Sequence, residues 1–179
     1  MFNALRHSLS GSAPAGRETP VLPAPGDHPV LGTALDGPWP EGSRVIYLAA
    51  GCFWGVEKMF WELDGVESTS VGYAGGVTKN PTYREVCTGQ TNHVEVVEVV
   101  YDPEVITLKE IVKAALEAHD PTQGYRQGND VGTQYRSAFY TDTEEEAEQI
   151  RGWICQYEQD LQSAGYGDIT TEVASVEKD

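Results

Sequence analysis

The stretch "RVIYLAAGCFWGVEKMFWEL", residues 44–63, changes its hydrophobic pattern halfway along. Residues 44–50 are mostly β-branched, aromatic or small apolar side chains, which is typical of a buried strand, and Gly51 ends the run. The apolar residues that follow recur at the spacing of one helix face, and they are Phe53, Val56, Phe60 and Leu63. The stretch therefore predicts a strand, a sharp turn and a helix, with Cys52 placed at the turn.

Further strand and helix patterns follow along the chain. The strand patterns cover residues 65–76, 93–102, 133–141 and 168–176. Helices are predicted to begin at Thr107 and Thr143, because a glutamate stands three residues after each threonine, as in a capping box. Residues 78–92 and 120–132 carry glycine, asparagine and proline turn signals, so they are predicted to be loops.

The order of these patterns predicts an α+β fold. Up to about residue 140 the order is β-α-β-β-α-β, the split βαβ core of ferredoxin-like domains, here with a mixed sheet and one more helix and strand. Residues 1–43 are rich in Pro, Gly and Ser, and they are predicted to form an extended N-terminal arm that lies over the domain. Residues 44–179 are predicted to form a single catalytic α+β domain.

Charge and composition argue against several classes of function. The chain has 179 residues, of which 28 are acidic and 12 basic, and its formal net charge is −16. Such a negative protein is not expected to bind nucleic acid or an anionic membrane surface. No apolar run is long enough to span a membrane, and the first residues lack the apolar centre of a secretory signal. A cytoplasmic location is therefore predicted.

The chain has three cysteines, Cys52, Cys87 and Cys155, which lie far apart in the sequence. No pair has the short spacing of a zinc site, and the number is odd, so neither a bound metal nor a disulfide framework is predicted. Reduced thiols also fit a cytoplasmic protein.

Cys52 is the candidate nucleophile. The first turn of a helix offers unpaired N–H groups and a partial positive charge, which stabilise a thiolate by about 1–2 kcal/mol. Selectivity must then come from a pocket, and the neighbouring Phe53 and Trp54 are its expected walls, because aromatic walls suit a methyl or thioether group. The alternative interpretation is that Cys52 is a small, buried apolar residue.

Two glutamates in the strand pattern "HVEVVEVVYD" are candidate proton donors. The period of a strand places Glu95 and Glu98 on opposite faces of the sheet. A charged carboxylate among valines is unfavourable, so burial favours the protonated form, which can act as a general acid. Either side chain could instead be exposed or paired, and the pattern does not choose between them.

Two further groups of residues leave alternatives open. Tyr83, Tyr135 and Asp130 lie in or beside the predicted polar loops, although a single tyrosine is more often a packing residue than a catalytic one. His93 or His119 could instead activate Cys52 as a base, as in a cysteine hydrolase. A histidine at a strand start or a helix end is commonly structural, so the residues themselves do not decide the reaction.

Six segments together resemble the A-type peptide methionine sulfoxide reductases. In chain order they are "GCFWG", "VGYAGG", "NPTYREVC", "HVEVVEVVYDP", "HDPTQGYRQGNDVGTQYRS" and "ITTE", and they span residues 44 to 176 approximately. The resemblance implies reduction of methionine S-sulfoxide, free or in oxidised proteins, on an α+β fold with a split βαβ core. It implies no metal or organic cofactor, and it implies thioredoxin or another thiol as the reductant.

The resemblance also implies roles for individual residues. Cys52 corresponds to the nucleophile, and Glu95 rather than Glu98 corresponds to the acid. Tyr83 and Tyr135 correspond to the hydroxyl groups that hold the sulfoxide oxygen. In the implied mechanism the Cys52 thiolate attacks sulfur, methionine leaves, and the resulting sulfenic acid is reduced through a disulfide by thioredoxin.

The remaining implied site residues form the pocket. Phe53 and Trp54 correspond to the cage for the methyl group of the substrate, and Asp130 corresponds to a polar wall. Asn92 stands where the family usually has glycine before the histidine; asparagine tolerates a positive φ better than most residues, so the change is expected to be harmless.

The C-terminal region departs from the family pattern. Family members usually continue past the "ITTE" strand and often carry recycling cysteines there, whereas this sequence ends at Asp179 with no cysteine after Cys155. The resolving thiol is therefore unknown. Cys87 is predicted to be a packed core thiol, and Cys155 lies on a helix, so neither is expected to resolve Cys52. A truncated protein that binds oxidised methionine without turnover remains an alternative.

Overall fold

The strand, turn and helix predicted around Cys52 lie at the centre of the structure. A computed structural model describes residues 13–176 of the chain. The strands are β1 Arg44–Ala50, β2 Val66–Ala74, β3 Val94–Tyr101, β4 Arg126–Gln127, β5 Asp130–Val131, β6 Ser137–Thr141 and β7 Glu172–Ser175. The helices are α1 Phe53–Trp61, α2 Tyr83–Cys87, α3 Leu108–Ala118 and α4 Glu144–Ser163, and a 3-10 turn covers Thr133–Tyr135.

The five longer strands form one mixed sheet in the order β2-β3-β1-β6-β7. The central strand β1 pairs antiparallel with both β3 and β6, and β2 pairs antiparallel with β3. The added strand β7 runs parallel to β6. This is the split βαβ order with one extra edge strand, so the predicted α+β fold class with a mixed sheet is confirmed.

Three of the helices pack on one face of the sheet. The main core cluster joins Phe60 of α1, Ile111 of α3 and Ile150 of α4, all with no exposed surface, to the inward residues of the strands. Alternate residues of β3 divide between the two faces, because successive side chains of a strand point in opposite directions. Val97 and Val99 join the core under the helices, and a second cluster on the opposite face contains their neighbours Val94 and Val96.

The predicted start of α3 is confirmed. The Thr107 hydroxyl accepts a hydrogen bond from the Glu110 N–H, and the Glu110 carboxylate accepts one from the Thr107 N–H, which completes the capping box. This arrangement satisfies two N–H groups that have no partner within the helix.

The start of α4 has only half of the predicted capping box. Thr143 accepts a hydrogen bond from the Glu146 N–H, as expected. The Glu146 carboxylate does not bond the Thr143 N–H; it accepts from the Thr143 hydroxyl instead and lies 3.6 Å from the Arg44 guanidinium. The positive charge of Arg44 on β1 draws the carboxylate away from the position that a full capping box requires.

Two of the predicted loops contain regular structure. Residues 78–92 include the short helix α2, which begins with a capping box of its own between Thr82 and Glu85. Residues 120–132 include the small hairpin of β4 and β5. The predicted strand over residues 133–141 begins later, at Ser137, because a 3-10 turn occupies its first residues.

The described part of the arm is attached to the domain by a buried histidine. His28 is 2% exposed, and its ring contacts Trp61 edge-on. The Nδ1 atom accepts hydrogen bonds from the N–H groups of Val30 and Leu31, so Nε2 carries the proton and donates to the Thr69 hydroxyl at 2.9 Å. Burial lowers the pKa of His28, which keeps the ring neutral in this arrangement.

Candidate active site

Cys52 occupies the turn between β1 and α1. Gly51 has a φ of +93°, and the next residue, Cys52, is the N-cap of α1. The Cys52 side chain is exposed and makes no capping hydrogen bond, so its sulfur is free to react. The structure therefore places the thiol at the positive end of a helix dipole, as the sequence predicts, and it rules out the alternative of a buried apolar cysteine.

The turn is closed on its other side by the β4–β5 hairpin. The Gln127 side-chain oxygen accepts a hydrogen bond from the Asp120 N–H at 3.2 Å, and its amide group donates to the Asp120 carbonyl at 3.0 Å. A Cβ atom at Gly51 would lie 2.8 Å from both Cβ and Cγ of Gln127. Glycine is therefore required at residue 51 by its positive φ and by the closeness of the hairpin.

Substituting Gly51 tests how strongly the turn depends on this contact. Gly51→Ala is expected to lower the free energy of unfolding by about 1–3 kcal/mol, because alanine is strained at positive φ and its methyl group meets Gln127. Gly55→Ala is the matched control, since Gly55 lies inside α1 without a positive φ, and nothing lies within 4 Å of the position that a methyl group would take there. Urea unfolding should show the control at or above wild-type stability; equal stability of the two variants would contradict the account.

Glu95 lies directly behind the nucleophile. Its Oε2 atom accepts a hydrogen bond of 3.2 Å from the N–H of Phe53, the residue after Cys52, and the side chain is 2% exposed. Burial raises the pKa of Glu95, and the negative charge of Asp130 adds to the rise, while the Phe53 N–H opposes it. A carboxyl group with a raised pKa holds its proton closer to neutral pH, which is the requirement for a general acid.

Glu98 lies on the other face of the sheet. It accepts a hydrogen bond of 3.3 Å from the Ser70 hydroxyl and interacts with the hydroxyl of Tyr47. The strand period thus separates the two glutamates as predicted, and only Glu95 contacts the helix that Cys52 opens.

The two tyrosines approach the site from different elements. Tyr83 is the first residue of α2, and Tyr135 ends the 3-10 turn before β6. Burial raises the pKa of Tyr135, and the charge of Glu95 adds to the rise. The pKa of Tyr83 is raised mainly by a hydrogen bond with Cys87. The charges of Tyr135 and Glu95 add to this rise. Both hydroxyl groups therefore stay protonated at neutral pH and can donate hydrogen bonds.

Tyr73 is a site residue that sequence reasoning missed. It stands opposite Glu95 in the β2–β3 register, and its ring centroid is 5.9 Å from that of Phe53. Burial raises the pKa of Tyr73 to about 12, and the charge of Glu95 is the next cause. The sequence contained it within "VGYAGG", but only the pairing register of two strands shows that it lies beside the acid.

The predicted pocket walls differ in exposure. Phe53 is 5% exposed and belongs to the core, whereas Trp54 is 65% exposed. Their rings are 5.1 Å apart and nearly perpendicular. Asp130 is an exposed residue of β5, close enough to Glu95 to influence its charge. The three predicted wall residues are thus one fixed aromatic ring, one ring open to solvent and one exposed acidic side chain.

A buried arginine fixes the turn that carries Tyr135. Arg136 is 8% exposed and donates hydrogen bonds to the carbonyl oxygens of Thr133 and Asn92 and to the carboxylate of Glu172. Asn92 has a φ of +55°, so the expectation that asparagine replaces glycine at a positive φ is confirmed. The backbone at Asn92 therefore helps to hold the 3-10 turn in place.

The two histidines of the hydrolase alternative are bonded elsewhere. His93 donates from Nε2 to the Thr78 carbonyl at 2.7 Å. His119 bonds the Ala115 carbonyl through Nδ1 and the Ser137 hydroxyl through Nε2, both at 2.7 Å. Among the hydrogen bonds of residues 13–176, neither ring has one with Cys52. A Cys–His pair is therefore not formed.

The other two thiols are exposed, and neither is in a disulfide. The prediction that Cys87 is a packed core thiol is wrong, because in the five-residue helix α2 the buried residue is Val86 and Cys87 points outward, one turn from Tyr83. Cys155 is exposed on α4. Within the described range, no group of three or more His, Cys, Asp or Glu side chains is arranged to hold a metal ion. In the same range, no helix has both the length and the apolar composition that a membrane crossing needs.

Comparison with known proteins identifies the family. A family model of peptide methionine sulfoxide reductase matches residues 44–178. Peptide methionine sulfoxide reductase MsrA of Corynebacterium efficiens is 66% identical over 158 residues, which are 88% of this chain and 73% of that protein. The solved structure of methionine sulfoxide reductase A of Corynebacterium diphtheriae is 56% identical with a TM-score of 0.87, over 92% of this chain and 77% of the other.

A more distant likeness agrees with this assignment. The crystal structure of Mxr1 from Saccharomyces cerevisiae in reduced form is 32% identical with a TM-score of 0.71, over 78% of this chain and 80% of the other. The resemblance of the six sequence segments is thereby confirmed over nearly the whole predicted domain. The chain belongs to the peptide methionine sulfoxide reductase family.

Proposed function

We propose that the protein reduces the S-epimer of methionine sulfoxide, free or within oxidised proteins, and so repairs oxidative damage. The observation that carries the proposal is the juxtaposition of an exposed thiol and a buried acid: Cys52 begins α1, and the next N–H along the chain is bonded to Glu95. We assign this activity to a catalytic domain of residues 44–179, preceded by the arm of residues 1–43.

The first step is attack of the Cys52 thiolate on the sulfur of the sulfoxide. A bond forms between the two sulfur atoms while the sulfoxide oxygen takes up a proton. The S–O bond to methionine and the S–S bond then both break as the hydroxyl group passes to the Cys52 sulfur, which leaves methionine and a Cys52 sulfenic acid. Methionine is reduced by two electrons and the cysteine is oxidised by two. Cys52 is the N-cap of α1 and its side chain is exposed, so the substrate can reach the sulfur atom.

Proton donation to the sulfoxide oxygen is assigned to Glu95. An S–O bond breaks readily only when its oxygen is protonated or strongly hydrogen-bonded. Burial keeps a proton on Glu95 at a higher pH than on an exposed glutamate, so the group can supply it. The hydroxyl groups of Tyr83 and Tyr135, which stay protonated, are assigned to hold the same oxygen.

Recognition of the methyl group is assigned to the aromatic side chains. Phe53 is fixed in the core, and Trp54 stands beside it at a ring distance of 5.1 Å, which provides an apolar corner next to the thiol. Asp130 is assigned to the polar side of the pocket. The exposure of Trp54 leaves room for a methionine that is part of another protein.

Recycling of the oxidised enzyme requires a second thiol. Attack of that thiol on the sulfenic acid releases water and forms a disulfide, which thioredoxin or another cytoplasmic thiol then reduces by exchange. The thiol that resolves Cys52 is not assigned. Because the catalytic thiol must be in its reduced form, we place the protein in the cytoplasm.

A single-turnover experiment tests the proposed activity. Reduced protein without an external thiol, mixed with N-acetyl-methionine sulfoxide, is expected to convert about one equivalent of the S-epimer and leave the R-epimer untouched. Chromatography that separates the epimers measures both. Conversion of the R-epimer alone would contradict the stereochemistry, and hydrolysis of an ester substrate without sulfoxide reduction would show that the reductase assignment is wrong. Protein whose three exposed thiols are all blocked by iodoacetamide is the control and should convert neither epimer.

A further inference from the structure

The arm is joined to the segment that carries Tyr83 by a continuous set of hydrogen bonds. The Thr78 hydroxyl donates to the Pro14 carbonyl at 3.1 Å. The Arg17 N–H donates to the Lys79 carbonyl at 3.0 Å, and the Asn80 side-chain amide donates to the Arg17 carbonyl at 3.0 Å. We call residues 14–18 and 78–85 together the clasp.

The clasp is tightly packed at its centre. Gly16 has a φ of +73°, and a Cβ atom there would lie 2.3 Å from the carbonyl oxygen of Lys79. The two backbones therefore approach more closely than any side chain at residue 16 would allow. Thr78, on the other side of the contact, is 2% exposed and its carbonyl accepts the hydrogen bond from His93. The arm thus rests on a part of the loop that is itself fixed to the domain.

Arg17 makes the contact that reaches α2. Its guanidinium group donates two hydrogen bonds of 3.0 Å to the two carboxylate oxygens of Glu85, and it also donates to the Asn80 carbonyl. Such a forked pair fixes the direction of the carboxylate as well as its position. The Arg17 side chain and the N–H of Thr82 hold the pKa of Glu85 at about 2, so the pair is intact throughout the neutral pH range.

Glu85 is also the residue that caps α2. Its Oε2 atom accepts hydrogen bonds from the N–H and the hydroxyl of Thr82, and its own N–H donates to the Thr82 hydroxyl. One carboxylate therefore joins Arg17 of the arm to the first turn of the helix. The first residue inside that turn is Tyr83.

The helix has little else to fix it. It is five residues long, which is too short to be stable alone, and its buried residue is Val86. Tyr83 itself is 59% exposed, so core packing does not hold its ring in one direction. A hydrogen bond with Cys87, one turn along the same helix, holds the Tyr83 hydroxyl relative to α2. Its place in the site therefore depends on the position of the helix start, which Glu85 and Arg17 determine.

We propose that Arg17 is a positioning residue for the reaction: through Glu85 it holds the start of α2 so that the Tyr83 hydroxyl points at the sulfoxide oxygen. The inference rests on the proposed role of Tyr83 in the reduction. Arg17 does not touch the substrate. Lysine cannot replace it fully, because an ammonium group cannot make the two parallel hydrogen bonds of a guanidinium group.

The single-turnover rate of S-sulfoxide reduction at saturating substrate tests the inference. Arg17→Ala is expected to lower this rate about tenfold, because a misplaced hydroxyl loses its effect even when it is still present. Arg17→Lys is expected to be intermediate. Glu18→Gln is the matched control, since Glu18 belongs to the clasp but pairs with Lys79 at the surface, with 86% of its side chain exposed; it should keep the wild-type rate.

A double-mutant cycle separates positioning from a general effect on structure. Tyr83→Phe alone is expected to lower the rate, and adding Arg17→Ala to it should lower the rate by less than about twofold more, since the hydroxyl to be positioned is absent. If the two effects multiply, Arg17 acts through something other than Tyr83 and the inference is wrong. A slow Tyr83→Phe with a fast Arg17→Ala would overturn the inference alone. Full activity of Tyr83→Phe would overturn the proposed role of its hydroxyl, and the inference with it.

Discussion

Cys52→Ser is expected to abolish reduction of methionine sulfoxide, with a loss of more than about 10⁴-fold, which is the scale of removing a nucleophile from an enzyme. The hydroxyl of serine is not ionised at neutral pH, and neither His93 nor His119 is placed to activate it, since both rings are bonded to other groups. The measurement is product formed in a single turnover, with the epimers separated.

The control for this variant is Cys155→Ser. Cys155 is also exposed, but it lies on α4, a helix that does not carry any of the proposed site residues. It should keep the full yield of about one equivalent of methionine per protein. A Cys52→Ser protein that still forms product, or a Cys155→Ser protein that forms none, would show that the nucleophile is assigned to the wrong thiol.

The part of the fold that sequence could predict is the part governed by periodicity. The change of pattern at Gly51 predicted the end of β1 and the start of α1, because a strand and a helix bury side chains at different spacings. The alternation along β3 predicted that Glu95 and Glu98 lie on opposite faces. These features depend on residues that are neighbours in sequence, and the structure agrees with them.

The features that the sequence did not reveal are either too short to show periodicity or depend on contacts between distant segments. The helix α2 has a Thr-x-x-Glu capping signature like those of α3 and α4, but it is too short to show helical periodicity. The incomplete capping box of α4 results from Arg44, which lies on β1 at the other end of the domain sequence. No local pattern around Thr143 reveals that Arg44 lies beside Glu146.

In the candidate site too, local pattern predicted some residues, and contacts between distant segments determine the others. Residue type and local pattern suggested Cys52 as a nucleophile, but they could not choose between two glutamates, and the family resemblance made that choice. Tyr73 was missed because its position beside Glu95 follows from the β2–β3 register. Arg17 was missed because its partner, Glu85, is separated from it by 68 residues in the chain. Burial of Cys87 was wrongly predicted because apolar neighbours in sequence do not determine which side of a short helix faces solvent.

Glu95→Gln is expected to lower the rate of S-sulfoxide reduction by about 10²–10³-fold, the usual contribution of a general acid. Glutamine keeps the shape of the side chain and can still accept the hydrogen bond from Phe53, but it has no acidic proton to give. The effect should fall on the chemical step, so the single-turnover rate at saturating substrate is the quantity to measure.

The pH dependence of the rate identifies the proton donor more sharply than the size of the decrease in rate does. In the wild type, the rate should decline as pH rises through the pKa of Glu95, which burial raises above its ordinary value, because the acid is then ionised. Glu95→Gln should lack this decline, because glutamine has no acidic proton to lose. Full activity of Glu95→Gln from pH 5 to about pH 8 would show that another group donates the proton.

At high pH, Glu95→Gln should raise the stability of the protein while it lowers the activity. A carboxyl group whose pKa is raised in the folded state binds its proton more tightly there, so its contribution to stability is present below the unfolded pKa and is lost as pH rises through the folded pKa. Glutamine cannot ionise, so Glu95→Gln should be more stable than the wild type at about pH 8 although it is slower. Thermal unfolding at that pH and at about pH 4.5 would measure the difference.

The matched control for both measurements is Glu98→Gln. Glu98 is on the same strand but on the opposite face of the sheet, where the Ser70 hydroxyl bonds it, so it cannot reach the thiol. Its substitution should leave both the rate and the decline at high pH unchanged. If Glu98→Gln removes the decline and Glu95→Gln retains it, the acid is on the other face and the proposed site is wrong. Damage to the fold would lower both the rate and the stability. A Glu95→Gln protein that is slower but more stable at high pH therefore shows that the acid was lost and the fold was kept.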